Sequence, residues 1–190
     1  MTSTTKPQSG ARPFTVSEEK KEHIFNTALH LFDQYGFQHI SVNRIYSEAK
    51  IAKQTFYTAF PSKDIFVFHC LDLEISKLKA SLSALVSQYE ISASIPMLKA
   101  IYQWHVDLAQ KDGFNGTLLT KAVVEYWNLE QVQKLVKDFN NWKYEFILEC
   151  LSEAAINDSI IRVIVNALNG ILLPDATLFL SWEDIETLVK

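Results

Sequence analysis

Lys53, Gln54 and Thr55 form a polar triplet between apolar Ala49 and Ile51 on one side and Phe56, Tyr57 and Phe60 on the other. Side chains of these types donate and accept hydrogen bonds at base edges and phosphate oxygens. The chemistry on offer is recognition rather than bond making. Two helices joined by a tight turn, the second showing polar groups over an apolar base, can lie in a major groove. The apolar base is Ile51, Phe56 and Phe60, expected to pack on Leu31, Phe32, Ile45 and Ala49. Charge is distributed to match. Residues 1–65 hold eight Lys/Arg against six Asp/Glu, whereas the remaining 125 hold ten against sixteen. Between Ser41 and Lys63 stand Arg44, Lys50, Lys53 and Lys63 against Glu48 alone. A local basic patch therefore rides on a chain of net charge −4, as a module steered to a polyanion requires.

Other chemistry is missing from the pattern. His23, His30, His39, His69 and His105 form no H-E-x-x-H, and no nucleophile motif accompanies them, so neither an enzyme nor a cofactor is expected. Cys70 and Cys150 lack metal-ligand spacing and lie on apolar helical patterns. They read as buried free thiols in a reducing cytoplasm, a redox switch being the alternative. No apolar run approaches the roughly 20 residues that span a bilayer, and the polar N-terminus carries no secretory signal. A cytoplasmic protein with no membrane contact is expected.

The elements that must position the triplet read as helices. Apolar residues recur at a period near 3.6, punctuated by five glycines and five prolines, with no strand pattern. The expected fold is all-α: an N-terminal three-helix helix-turn-helix domain plus a C-terminal helical bundle, about nine helices in all. Residues 1–14 read as a flexible arm, 15–62 as the helix-turn-helix domain and 63–190 as the helical bundle. Thr15 with Glu18 is expected to cap the first helix, which Gly36 ends as a left-handed cap. Ser41 is expected to cap the second helix, and Ser62 a long fourth. Further starts are expected at Ile95-Pro96, Thr117, Asn128, Asp158 and Ser181, with the seventh helix running to about Ala155. The stretch "SIIRVIVNALNGILL", charged only at Arg162, reads as buried on several sides.

The longer stretch "IFNTALHLFDQYGFQHISVNRIYSEAKIAKQTFYTAFPSKDIF", residues 24–66, resembles the N-terminal domain of TetR-family transcriptional regulators. The resemblance rests on Leu31-Phe32, Tyr35-Gly36-Phe37, Ser41-Val42, Ile45, Ala49, Thr55-Phe56-Tyr57, Phe60 and Ser62-Lys63-Asp64. It implies a homodimeric DNA-binding regulator, usually a repressor, on a palindromic double-stranded operator, released by a small-molecule effector in the C-terminal domain. Ser41, Tyr57 and Lys63 fall where the family commonly contacts phosphates. Asn43, Lys53, Gln54 and Thr55 fall where it reaches bases or nearby phosphates. Tyr57 has a second reading as a core tyrosine, Lys63 as a solvated helix-start charge, and Arg44 faces either phosphate or solvent. The sequence departs from the family at two places. Lys50 replaces a glycine that supplies positive φ, at about 1 kcal/mol. Ala52 replaces a serine cap, at roughly 0.5–2 kcal/mol. Lys50 is expected in the turn with positive φ, its ammonium either toward the DNA backbone or merely tolerated in solvent.

Beyond residue 67 the chain is rich in aromatics, which serve either as plain core or as the walls of a cavity for an apolar ligand. Tyr102, Trp104, His105, Tyr126, Trp127, Trp142 and Phe146 are the candidate ligand-binding residues, with Asp107, Glu125 and Glu145 as further polar anchors. The family resemblance places dimerisation on the last two helices, although the final one, Trp182 to Val189, is short. The rival reading is a TetR-like interaction module that has lost DNA binding through Lys50 and Ala52.

Overall fold

The helical periodicity is realised as nine α-helices and one short 3₁₀ turn, with no strand among the described residues. The computed structural model describes residues 16–154, 156–174 and 179–190. The helices are α1 (Glu18–Tyr35), α2 (Val42–Glu48), α3 (Lys53–Ala59), α4 (Lys63–Val86), α5 (Ser94–Ala109), α6 (Leu118–Glu125), α7 (Glu130–Cys150), α8 (Asp158–Ile171) and α9 (Trp182–Leu188). None is long and apolar enough to cross a membrane.

Helix starts follow side-chain caps where the sequence supplies an oxygen. Ser41, Ser62 and Thr117 accept the third amide onward in α2, α4 and α6, and Ser181 with Asp184 closes a capping box on α9. Three expected starts differ. Ser17 caps α1 by accepting from the Lys20 amide, while Thr15 and the expected arm lie outside the described residues. Asn157, not Asp158, caps α8, because the Asp158 carboxylate is engaged by the Tyr144 hydroxyl and by Arg162 Nε at 3.0 Å. Leu129, not Asn128, precedes α7, and it supplies no side-chain cap. A turn closed by its amide on the Tyr126 carbonyl sets that start, with Leu129 packed on the core. Helix α7 also stops at Cys150, short of the expected end, and a 3₁₀ turn (Ser152–Ala154) follows.

Two hydrophobic cores are strung along α4 and α7. The first joins Phe32 of α1, Ile45 of α2, Phe56 of α3 and Phe66 of α4 with Leu119 and Ala122 of α6 and Val136 of α7. The second joins Leu82 near the end of α4 with Leu98 and Ile101 of α5, Ile147 of α7, Ile164 of α8 and Ile185 of α9. At 1.5 Å per residue the 24-residue α4 extends about 36 Å, so one rigid rod enters both cores. The first core runs past residue 62, since α6 and α7 complete it.

Helix α8 is not apolar all round. Ile161, Ile164, Val165, Leu168 and Ile171 are buried within the protomer, while Arg162, Val163 and Asn166 face outward. The run of apolar letters misleads because its charged, amide and small residues fall on one side of the helix. Val165 and Leu168 thus belong to the core, and a charge there would unfold the chain rather than report on a dimer.

Helix α1 ends at Gly36 with φ 76° and ψ 168°, a positive-φ conformation but not the left-handed helical cap expected. The ψ is extended because the chain turns here to deliver its next two amides to α6. A Cβ on Gly36 would stand 2.7 Å from Glu125 Oε1. Gly36→Ala should therefore destabilise the fold by more than the roughly 1–2 kcal/mol of conformational strain alone, read as a lowered denaturation midpoint in urea.

Candidate nucleic-acid interface and effector cleft

The turn between α2 and α3 decides how the triplet is shown. Ile51 N donates to Tyr46 O at 3.0 Å and Lys50 N to Ser47 O at 3.1 Å, the paired bonds of a Schellman ending. That ending puts its last-but-one residue at positive φ. Lys50 has φ 52°, alone in this among the described non-glycine residues. His23 of α1 secures the strained turn by donating from Nε2 to the Ala49 carbonyl at 3.1 Å. Ala52 stands at the start of α3 with no side-chain cap, as its methyl dictates.

Beyond the turn, Lys53, Gln54 and Tyr57 are exposed on α3, Thr55 is half-buried, and Phe56 is fully buried beneath them. Lys53 Nζ lies 5.8 Å from the Tyr57 ring centre, so cation and phenol form one surface. Ser41 and Asn43 are exposed at the start of α2. Arg44 is held locally, with its guanidinium 4.4 Å from the Tyr35 ring centre and Nε 3.1 Å from Glu48 Oε1. Lys63 is half-buried and donates to the Phe37 carbonyl at 2.7 Å, which removes it from the solvated reading. Burial lowers its pKa from the ordinary lysine value. The Lys50 side chain, by contrast, is exposed and makes no hydrogen bond or ion pair among the described residues. Lys50, Lys53, Gln54 and Tyr57 are thus the exposed group on and beside α3, while Arg44 and Lys63 have structural partners.

The candidate ligand residues do not gather in one place. Trp104 lines a cleft of about 260 Å³ with Leu78, Phe139, Lys143, Asn169 and Leu172. Trp142 and Phe146 stack at 5.0 Å and line a larger hollow, about 540 Å³, open and edged by Glu145 and Glu149. Tyr102 is buried in the second core against Trp182. Tyr126 packs edge-on to Phe37 at 5.7 Å in the first core, so it bonds the bundle to the helix-turn-helix instead of lining a cleft. Trp127 is 75% exposed and lines none of these hollows, because the turn after α6 points it to solvent. Asp107 is exposed and bonded to Gln103.

Glu125 is not a cleft anchor. It ends α6 facing α1, where its carboxylate accepts from the Phe37 amide at 3.1 Å and the Gln38 amide at 2.6 Å. Four residues earlier, Lys121 donates to the Asp33 carbonyl at 2.5 Å and lies 3.2 Å from the Asp33 carboxylate. The same helix lines the 260 Å³ cleft through Leu119, Thr120, Val123 and Val124. Helix α6 therefore carries cleft wall on one side and the tie to α1 on the other.

Lys143, which was not among the candidates, lies at the cleft with 3% exposure. It donates to Asn169 Oδ1 and sits 5.6 Å from the Phe139 ring centre. Burial pushes its pKa down to about 8. His105 on α5 is fully buried; its Nδ1 donates to Ile101 O at 2.8 Å and its Nε2 has no partner among the described residues. Burial and then the Lys143 charge push His105 down to about 3, so the ring is neutral. A signal for Lys143 existed: it interrupts the buried stripe Val132, Val136, Phe139, Ile147 and Cys150 at helical spacing. No group of three or more potential metal ligands occurs among the described residues.

Because the folded pKa of Lys143 is depressed, the unfolded chain holds more protons between about pH 8 and 10.5. Stability is therefore gained as pH rises through that window and is lowest below it. Lys143→Met should raise the thermal midpoint at pH 7 by several degrees, roughly 2–4 °C per kcal/mol for a chain of this size. The gain should shrink as pH climbs from 8 toward 10.5, measured by thermal unfolding across that range.

Comparison with known proteins agrees with this geometry. Residues 24–70 match the family described as bacterial regulatory proteins, tetR family. The uncharacterized HTH-type transcriptional regulator YuxN of Bacillus subtilis (strain 168) is 42% identical over 60 residues, 32% of this chain and 21% of that protein. The HTH-type transcriptional repressor DhaR of Mycobacterium sp. (strain GP1) is 24% identical over 144 residues, 75% of this chain and 70% of that protein. The match thus spans only about a fifth of the first relative's length. Among solved structures, SCO4454, a TetR-family transcriptional regulator from Streptomyces coelicolor, superposes with TM-score 0.72 at 22% identity, covering 90% of each chain.

Proposed function

The chain belongs to the TetR family of transcriptional regulators, and from that premise we propose that it is a homodimeric repressor released from a palindromic operator by a small, largely apolar effector. The observation that carries the DNA reading is the exposed set Lys50, Lys53, Gln54 and Tyr57 over a buried Phe56. In this reading Lys53, Gln54, Thr55 and Asn43 read bases, while Ser41, Tyr57 and Lys50 hold phosphates. Arg44 and Lys63 contribute charge from positions already fixed by protein partners. Residues 15–62 act as the DNA-binding unit and 63–190 as the effector and dimerisation unit. Dimerisation uses the outward face of α8 around Val163, 48% exposed, together with α9. Sedimentation of the protein as a monomer at micromolar concentration would refute that assignment.

A gel shift with the gene's own upstream DNA tests the reading, and absence of any shift at low salt favours the interaction-module alternative. The Lys50→Gly variant sharpens it. Relief of positive φ should raise stability by about 1 kcal/mol, while loss of a phosphate contact should lower the salt slope by about 0.9. An unchanged slope would make Lys50 a tolerated residue only.

Helix α6 supplies the coupling in this proposal. An effector pushing on Leu119 and Val123 displaces Glu125 and Lys121 and so the end of α1. Glu125→Gln keeps the shape but weakens the hydrogen bonds to two amides, charge-assisted ones being roughly twice as strong as neutral ones. The expected result is a protein that still shifts its operator but responds less to effector. Equal effector response in wild type and variant would remove Glu125 from the coupling.

A further inference from the structure

A buried cation ordinarily has a buried counter-ion. Lys143 has none: among the described residues no carboxylate lies within ion-pair distance of its ammonium. Its hydrogen-bond partner is the neutral Asn169 Oδ1, which satisfies one of three N–H groups. His105, whose Nδ1 proton is committed to the Ile101 carbonyl, is neutral and cannot serve as a counter-ion. The charge also lines a cleft whose other walls are Leu78, Trp104, Phe139 and Leu172. A neighbouring hollow of about 350 Å³ shares Leu78 and Thr117 with it but holds Asp33, Glu74 and Asp112. An added positive group is drawn to that acidic hollow, and an added negative group to Lys143.

We propose that the effector is a small amphipathic monoanion, a carboxylate on an apolar body, whose oxygens pair with Lys143 beside Asn169 while its body lies against Trp104, Phe139 and Leu78. This rests on the effector-responsive reading above and gives that effector a chemical class. The anion supplies the missing counter-charge and accepts the two N–H groups that Asn169 leaves free. The apolar body covers surface on α4, α5, α7 and α8 together with α6, the helix that reaches α1. Binding is favoured because the desolvation of Lys143 is already incurred by folding and is not charged again when the ligand arrives.

Two matched pairs of probes test the proposal: octanoate against 1-octanol, and phenylacetate against 2-phenylethanol, by titration calorimetry and quenching of tryptophan fluorescence at pH 7. At least one carboxylate should bind wild type about tenfold or more tighter than its alcohol. In Lys143→Met the preference should collapse to about unity while the alcohol still binds. Lys143→Gln serves the same purpose if the Met variant does not fold. Equal affinity of acid and alcohol for wild type overturns the proposal, as does a preference that survives removal of Lys143, or no binding by either acid. An operator gel shift run on the same preparations separates the two levels. Intact operator binding without any carboxylate preference sinks this inference and leaves the regulator reading standing. A carboxylate preference dependent on Lys143, without operator binding, does the reverse.

Discussion

Everything the recognition helix does depends on a cluster of phenylalanines. Helix α3 has seven residues and no side-chain cap, far below the length at which a helix holds itself in water. It exists because Phe56 and Phe60 pack on Phe66 of α4, with ring centres 4.9 and 4.7 Å apart. Each fully buried aromatic contributes roughly 1.5–3 kcal/mol, and aromatic pairs add about 0.5–1.5. That outweighs the missing cap at Ala52 and the positive φ at Lys50, each on the order of 1 kcal/mol. The same packing fixes orientation: with Phe56 pointing inward, Lys53, Gln54 and Tyr57 have no choice but to point out. Because Phe66 lies within the first turn of α4, any tilt of that long helix is felt at once by α3.

The parts of the fold that were legible in the sequence are those governed by local rules. Ser41, Ser62, Thr117 and Ser181 announce helix starts because a short side-chain oxygen can reach only its own first turn. Lys50 at positive φ was legible for the same reason, since the ending of α2 is settled by hydrogen bonds within six residues. What failed was whatever depends on distant partners. Asp158 reads as a cap, yet Tyr144 and Arg162 claim its carboxylate. Glu125 reads as a candidate ligand anchor, yet it meets amides 87 and 88 residues earlier in the chain. Trp127 is exposed whereas Trp142 is half-buried, because exposure depends on helix rotation around a turn that periodicity does not resolve. Helix α8 misled in another way. Counting apolar residues hides the fact that Arg162, Val163 and Asn166 share a face.

The site shows the same division. The candidate DNA-contacting residues lie within a window of about twenty, where spacing translates directly into geometry. The cleft draws on five helices, so no local window contains it. Lys143 is the exception that was missed, and the oversight has a physical source. A lysine among polar neighbours such as Asn140, Asn141 and Tyr144 looks solvated until the heptad-like spacing of Val136, Phe139 and Ile147 is traced through it. A charge on a buried stripe is costly, and a cost borne in the folded state points to a use.

The two halves of the molecule share one economy, in which local strain is held by a distant contact. At the turn, Lys50 occupies a conformation made for glycine, and His23 from α1 steadies it through the Ala49 carbonyl. At the end of α1, Gly36 takes an extended positive-φ geometry so that Phe37 and Gln38 can face Glu125. Helix α1 is thus gripped at one end by α6 and in its first turns holds the turn that presents α3. In the proposed reading, a displacement of α6 by a ligand paired with Lys143 would have a short covalent and hydrogen-bonded path to follow. It passes through Glu125 to the α1–α2 connection, through that connection to Ser41 and α2, and from α2 to the Lys50 turn. Of these links, the one from Glu125 to the Phe37 and Gln38 amides is a polar contact between helix ends. Helix ends are where a fold of rigid helices has freedom to give.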